Sequence, residues 1–147
     1  MDIEEHHYLY YNKNVGNQKS CAWQKNIKEC RMHNMVVKKL FIDDERHPSD
    51  ENYEIVRSSA EAIAWTILNG IPERISFDHD LGGEDTSRVF INWLTDQLIE
   101  GRLSFPENFK FSVHSQNPIG AQWIFGTMNQ LISHFKATHV TRQSPKV

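Results

Sequence analysis

Short apolar runs that stop at polar loops alternate, along most of this chain, with longer stretches in which apolar residues return every three or four positions. Val36 to Ile42 predicts a strand, followed by a loop at Glu45-Arg46-His47-Pro48-Ser49-Asp50, where Pro48 disfavours helix at His47. Tyr53 to Arg57 predicts a second strand. Ser58 with Glu61 forms a capping-box signature, after which Ile63, Ala64, Ile67 and Leu68 share one helical face; Gly70 stops that helix and Pro72 lies just beyond. Arg74 to Phe77 predicts a third strand, and Gly82-Gly83 a turn. A second helix is expected over about Thr86 to Glu100, its apolar face made by Val89, Phe90, Trp93, Leu94 and Leu98, with Gly101 ending it. Phe109, Phe111 and Val113 alternate with Lys110, Ser112 and His114, the period of a fourth strand. Asn117-Pro118 has the form of an N-cap with proline at the first helical position, and Ala121, Ile124, Met128, Leu131, Ile132 and Phe135 continue at helical spacing. Trp65, Trp93 and Trp123 fall within these helical patterns and are expected in the core.

Strands alternating with helices predict an α/β domain with a mostly parallel sheet of four or five strands, three-layered if helices cover both faces. One link breaks the pattern: Asp44 to Tyr53 is shorter than the usual dozen-residue helical crossover, so the first two strands must be joined by an extended loop or paired differently. The tail from His139 to Val147 is left as a short fifth strand or a loose end. Residues 1 to 34 show no sustained period, and the folded domain is expected to span 35–147 with this leader as an extension. His6, His7, Cys21, Cys30 and His33 lie in the leader, but their spacing lacks the paired knuckle of a zinc site, and reduced structural thiols are the simpler expectation.

At 147 residues the chain suits one domain with a real core, and its net charge of -3 gives no global basic field for long nucleic acid. No apolar stretch approaches the roughly 20 residues of a membrane span. Met1-Asp2-Ile3-Glu4-Glu5 has no basic region followed by an apolar one, so the cytoplasm is the expected location. A small phosphate ligand, an RNA end or a protein remain as partners.

The chemistry gathers at strand ends. Leu40-Phe41-Ile42 stops at Asp43-Asp44, and Ile75-Ser76-Phe77 stops at Asp78-His79-Asp80. In an open α/β sheet, ligands bind at the carboxyl ends of the strands. Loops after the first, third and fourth strands therefore collect Asp43, Asp44, Asp78, His79, Asp80, His114 and Ser115. Carboxylates brought together repel unless a cation or shared protons offset them, and Mg²⁺ with a phosphate ligand suits oxygen donors of this kind. Each residue keeps an ordinary alternative: turn chemistry for the acidic pair, a helix cap for Asn117, a hydrogen-bonded structural place for His79 and His114, and a solvated ion pair for Arg46. Beside a phosphate, Arg46 would instead offer a bidentate fork.

The acidic pair and the aspartate ending the third strand resemble those of response-regulator receiver domains. More specifically, three ordered motifs resemble the receiver-derived family proposed to process cyclic phosphates: Asp43-Asp44-Glu45-Arg46-His47-Pro48, Ser76-Phe77-Asp78-His79-Asp80-Leu81-Gly82 and His114-Ser115-Gln116-Asn117-Pro118-Ile119-Gly120. The resemblance covers about Val36 to Lys136. It implies a receiver or flavodoxin-like sheet that lacks the first crossover helix, which suits the short link after the first strand. It also implies a link to RNA repair or nucleotide signalling. Two departures accompany it: members of that family resemble a chain beginning near Met35, and the lysine that ordinary receivers carry after a fifth strand has no equivalent unless the tail supplies Lys146.

The expected activity is a metal-dependent phosphoesterase opening a cyclic phosphate, on an RNA 2′,3′-cyclic phosphate end or a cyclic nucleotide. Asp43, Asp44 and Asp78 are the expected Mg²⁺ ligands, His79, His114 and Asp80 the acid-base groups, and Arg46, Ser115 and Asn117 the phosphate contacts. The rival expectations are a non-catalytic phosphate-ligand or protein-binding module and a signalling receiver phosphorylated on Asp78.

Overall fold

The computed structural model describes residues 38–142. The expectations for residues 1 to 34, for the cysteines and histidines among them, and for Lys146 lie outside the described residues. In chain order the elements are β1 (Lys39–Ile42), β2 (Tyr53–Val56), α1 (Ser59–Asn69), β3 (Arg74–Phe77), α2 (Ser87–Ile99), β4 (Lys110–Val113) and α3 (Pro118–Arg142). The tail therefore continues α3 through Arg142 rather than turning back as a strand from His139.

The four strands form one sheet in the order β2-β1-β3-β4, and every pairing is parallel. β2 pairs directly with β1 although no helix joins them, so residues 43–52 make the link as an extended loop. The crossovers β2-α1-β3 and β3-α2-β4 advance in the same direction across the sheet. Right-handedness therefore sets α1 and α2 on the same face, and α3 packs beside α2 against β4.

The burial pattern agrees. Leu40, Ile42, Ile75 and Phe77 alternate onto the helical face and are wholly buried in one cluster with Trp65 of α1, Phe90, Ile91 and Leu94 of α2, and Ile124 and Met128 of α3. The opposite face carries Phe41 and Ser76, and no described helix lies on it, so the covering expected for a third layer is not among the described residues.

Helix ends follow the sequence with one change. Ser58 caps α1 by accepting from the Glu61 amide at 3.1 Å, but the Glu61 carboxylate bonds the amide of Arg57 at 2.7 Å rather than that of Ser58. The box is shifted one residue outward, which ties the helix start to the end of β2. Within the helices, Trp65 is buried and donates its ring N–H to Glu54, while Trp93 and Trp123 are partly buried against the core. Two residues expected on apolar faces point outward: Leu68 is 40% and Val89 49% exposed. A four-stranded sheet is narrow, so each helix buries a narrower stripe than its apolar spacing offers.

This assignment of faces predicts unequal responses to truncation in urea denaturation. Leu94→Ala, which empties a fully buried position, should cost about 2–5 kcal/mol. Val89→Ala, at a half-exposed position in the same helix, should change stability by about 0.5 kcal/mol or less.

Candidate active site

The row that follows the last paired residues of the strands holds the chemistry. Ile42, Phe77 and Val113 stand in register across β1, β3 and β4, so the next residues, Asp43, Asp78 and His114, emerge side by side at the carboxyl edge. The ladder runs one step past the strands: Asp78 N donates to Ile42 O at 2.8 Å, His114 N to Phe77 O at 2.9 Å, and Asp43 N to Val56 O at 3.2 Å. Backbone pairing thus sets the positions of these side chains.

Asp43 is fully buried. Its Oδ1 accepts from the amides of Glu45 (2.8 Å) and Arg46 (2.7 Å), and its Oδ2 from Arg46 Nε (2.8 Å) and His114 Nε2 (3.0 Å). Burial alone would raise its pKa. The two backbone donors, His114 and the Arg46 charge together outweigh burial and hold the carboxyl below its ordinary value. Asp78 accepts from its neighbour's amide, His79 N, at 2.7 Å and from Arg46 Nη2 at 2.9 Å. Asp44 is half-buried beside Gly82, where a Cβ would come within 3.3 Å of its Oδ2; Gly82 also has φ +88°, so glycine serves both the close approach and the turn. One ligand oxygen from each of Asp43, Asp44 and Asp78 lies within 4.8 Å of the other two.

Arg46 bridges three loops. Besides Asp43 and Asp78 it donates from Nη1 to His114 O at 3.1 Å. Arg57, at the end of β2, shapes the same loop by donating from Nη1 to the carbonyls of Asp43 (2.9 Å) and Arg46 (2.7 Å). Three carboxylates and one guanidinium leave two formal negative charges, the charge that one divalent cation offsets.

His114 stacks on Phe41, with ring centroids 4.4 Å apart and planes 8° from parallel. Its Nε2 faces the Asp43 carboxylate, an acceptor, so Nε2 carries a proton. Its Nδ1 meets Ser76 Oγ at 2.7 Å, and Ser112 Oγ in turn donates to Ser76 Oγ at 3.1 Å. The neutral Nε2–H form satisfies the whole chain of donors.

A second network adjoins the first. His79 is buried, and its Nε2 accepts from Arg88 Nε at 3.2 Å. Because guanidinium only donates, the His79 proton sits on Nδ1, which donates to Asp80 Oδ1 at 2.9 Å. The Arg88 guanidinium carbon lies 4.5 Å over the Trp123 ring. Asp80, with a side chain 60% exposed, also accepts from Asn117 Nδ2 at 3.1 Å. His79 first and Asn117 second keep its carboxyl below the ordinary range. Asn117 is the expected cap, taking Gly120 N on Oδ1 at 3.0 Å, and its own amide donates to Ser115 Oγ at 3.2 Å.

The nine predicted site residues thus divide into two groups. Asp43, Asp44, Asp78, Arg46 and His114 form one cluster; Asp80, Asn117, Ser115 and His79 form the neighbouring network, with His79 inside rather than at the surface. Sequence reasoning missed Arg57, Ser76, Arg88 and Gly120. Arg57 ends β2 at the same sheet edge, and that position was a usable signal. Ser76 and Gly120 stand inside the motifs quoted above, but nothing local gave either a role, and Arg88, in the first turn of α2, gave no signal without the fold.

Gly120 allows α3 to lie on His79: a Cβ there would stand 2.2 Å from the imidazole. Gly120→Ala should destabilise the fold by about 1–3 kcal/mol and perturb the His79 ring signals in NMR. Acid titration offers a second check. Asp43, titrating lower when folded than when unfolded, contributes stability above its unfolded value of about 4 and loses it as pH falls through the lower folded value. Asp43→Asn should lower stability at pH 7 by about 1–3 kcal/mol and flatten the fall in stability as pH drops below about 4.

Among the described residues no helix is long and apolar enough to cross a membrane. Neither a curated protein nor a solved structure gives a match. The model of one family, described as the cyclic-phosphate processing receiver domain, matches residues 38–130, the stretch that contains every strand and all the side chains of both networks. On that match, over more than half of its length, the chain belongs to the cyclic-phosphate processing receiver domain family.

Proposed function

We propose that this receiver domain is a metal-dependent phosphoesterase that opens cyclic phosphates, either the 2′,3′-cyclic phosphate at an RNA end or a cyclic nucleotide. The observation that supports it best is the meeting of Asp43, Asp44 and Asp78 oxygens within 4.8 Å, with His114 bonded to one of them. Hard carboxylate oxygens with two uncompensated negative charges suit Mg²⁺, and these three aspartates would hold it. Such an ion, when bound, neutralises phosphoryl oxygens and polarises phosphorus toward attack.

The remaining steps fall to the chain's own groups. Water adds to phosphorus, one ring P–O bond breaks, and the proton lost by the water ends on the departing ribose oxygen. His114, with a side chain 22% exposed, is the imidazole assigned to carry that proton. Buried His79 acts through its neighbour, holding the exposed Asp80 ionised and oriented at the mouth of the site. Arg46 contributes a planar fork for phosphate oxygens, and Ser115 and Asn117 line the start of α3, whose amide dipoles favour an anion.

A second reading has its own support. Both ring nitrogens of His79 and of His114 are engaged with protein partners, as in a site that binds a phosphorylated ligand without turning it over.

Phosphorus NMR of 2′,3′-cyclic AMP and of an RNA ending in a cyclic phosphate, with and without Mg²⁺, separates these readings. Metal-dependent ring opening is expected, lost in Asp78→Asn and slowed about 10²–10⁴-fold in His114→Ala. Phosphate resonances that shift without turnover would identify a binding module. A stable phosphoryl label from a small phosphodonor, absent in Asp78→Asn, would identify a signalling receiver.

A further inference from the structure

Asp43 has no lone pair to spare. A carboxylate offers about four acceptor positions, and four donors already occupy them: the amides of Glu45 and Arg46 on Oδ1, and Arg46 Nε and His114 Nε2 on Oδ2. A cation that bonds Asp43 must therefore displace a donor. The two amides belong to a loop whose carbonyls Arg57 clamps, so they are fixed by the backbone. His114 is held between Phe41 and Ser76. The Arg46 side chain is the donor with freedom to leave, 41% exposed on a long flexible stem, whereas Asp43 is 1% exposed.

Leaving would also clear Asp78. The same guanidinium bonds Asp78 Oδ2 at 2.9 Å, so a single swing of Arg46 releases one oxygen on each of two of the three aspartates. A guanidinium removed from two carboxylates is left without its anions. A phosphate oxygen arriving with the cation supplies a new one in the same planar geometry.

We propose that Arg46 is an internal, displaceable cation that couples metal and phosphate binding: it neutralises Asp43 and Asp78 when the site holds no metal, gives way to a divalent cation, and then pairs with the phosphate. This rests on the metal reading of the site given above and adds an order of events and a specificity element to it. Because coupling is reciprocal, phosphate must tighten the metal by the same factor that the metal tightens phosphate. A cation arriving alone has to strip Arg46 of its partners, so the metal alone binds weakly and the metal with phosphate binds well.

Calorimetric titration with Mg²⁺ at constant ionic strength, with and without inorganic phosphate, tests the proposal on the full chain and on Arg46→Gln. Removing the competitor should tighten Mg²⁺ alone by about tenfold, an estimate that allows for the partial exposure of the pair. Phosphate should tighten Mg²⁺ several-fold in the native protein and leave Arg46→Gln unaffected. Complexation of Mg²⁺ by free phosphate in solution works in the opposite direction, so it cannot imitate the native result.

A folded Arg46→Gln protein that binds Mg²⁺ equally or more weakly overturns the proposal, since Arg46 would then be a prop for the carboxylates. Equal tightening by phosphate in both proteins overturns it too. Should Arg46→Gln fail to fold, the Nε–H resonance of Arg46 in the native protein decides: a shift on saturation with Mg²⁺ is expected, and no change rules displacement out. Failure of both the native protein and the variant to bind Mg²⁺ or Mn²⁺ would remove the metal reading itself, whereas tight binding of equal strength in both removes only the role given to Arg46.

Discussion

A charged carboxylate with no exposed surface is the constraint around which this domain is arranged. Asp43 cannot be buried as an anion unless its lost hydration is replaced, and four donors replace it. Those donors come from a turn after β1, a guanidinium in that turn and an imidazole after β4, so satisfying one side chain draws together two distant parts of the chain. Arg57 then clamps the turn from the end of β2, and Arg46 extends the network to Asp78 after β3. Residues that follow all four strands thus meet in one network around Asp43. No buried side-chain polar atom among the described residues is left without a partner.

The parallel sheet makes this network geometrically cheap. Side chains that succeed in-register residues on neighbouring strands emerge in one row, about 5 Å apart from strand to strand, so Asp43, Asp78 and His114 need no loop excursion to meet. Both crossovers run the same way, which gathers the helices and the apolar core on one side. The other side is where Phe41, Ser76, Ser112 and His114 form their stack and hydrogen-bond chain. The site therefore stands at the boundary between a dry apolar face and a more polar one. His79, on the dry side under Gly120, and His114, on the polar side over Phe41, are two histidines at the ends of neighbouring strands with different surroundings.

Much of this could be read along the chain because the physics behind it is local. The strands and helices followed from period and capping residues, and the short link after β1 left an extended loop or a different pairing, of which the loop is what forms. Asn117 could be read as a cap because proline follows it, and it is one. The parts that escaped are those decided by distant contacts. Val89 and Leu68 carry the right spacing for a core face, yet they turn outward because the narrow sheet has no surface left to cover them. Arg46 could be weighed only as a solvated pair or a phosphate ligand, since its partner Asp78 is far away in sequence and nothing local links the two.

By itself, then, the amino-acid sequence determined the alternation of elements, the carboxylates at the strand ends and, through three ordered motifs, the family. Each of these depends on residues within one turn or one strand of each other. The tertiary structure alone decided which of those residues share a site and in what state. It set His79 inside and His114 at the rim, and it gave Asp43 its four donors and Arg46 its two aspartates. Hydrogen-bond saturation and burial are properties of a packed environment, and the groups that create that environment here are brought together only when the sheet closes.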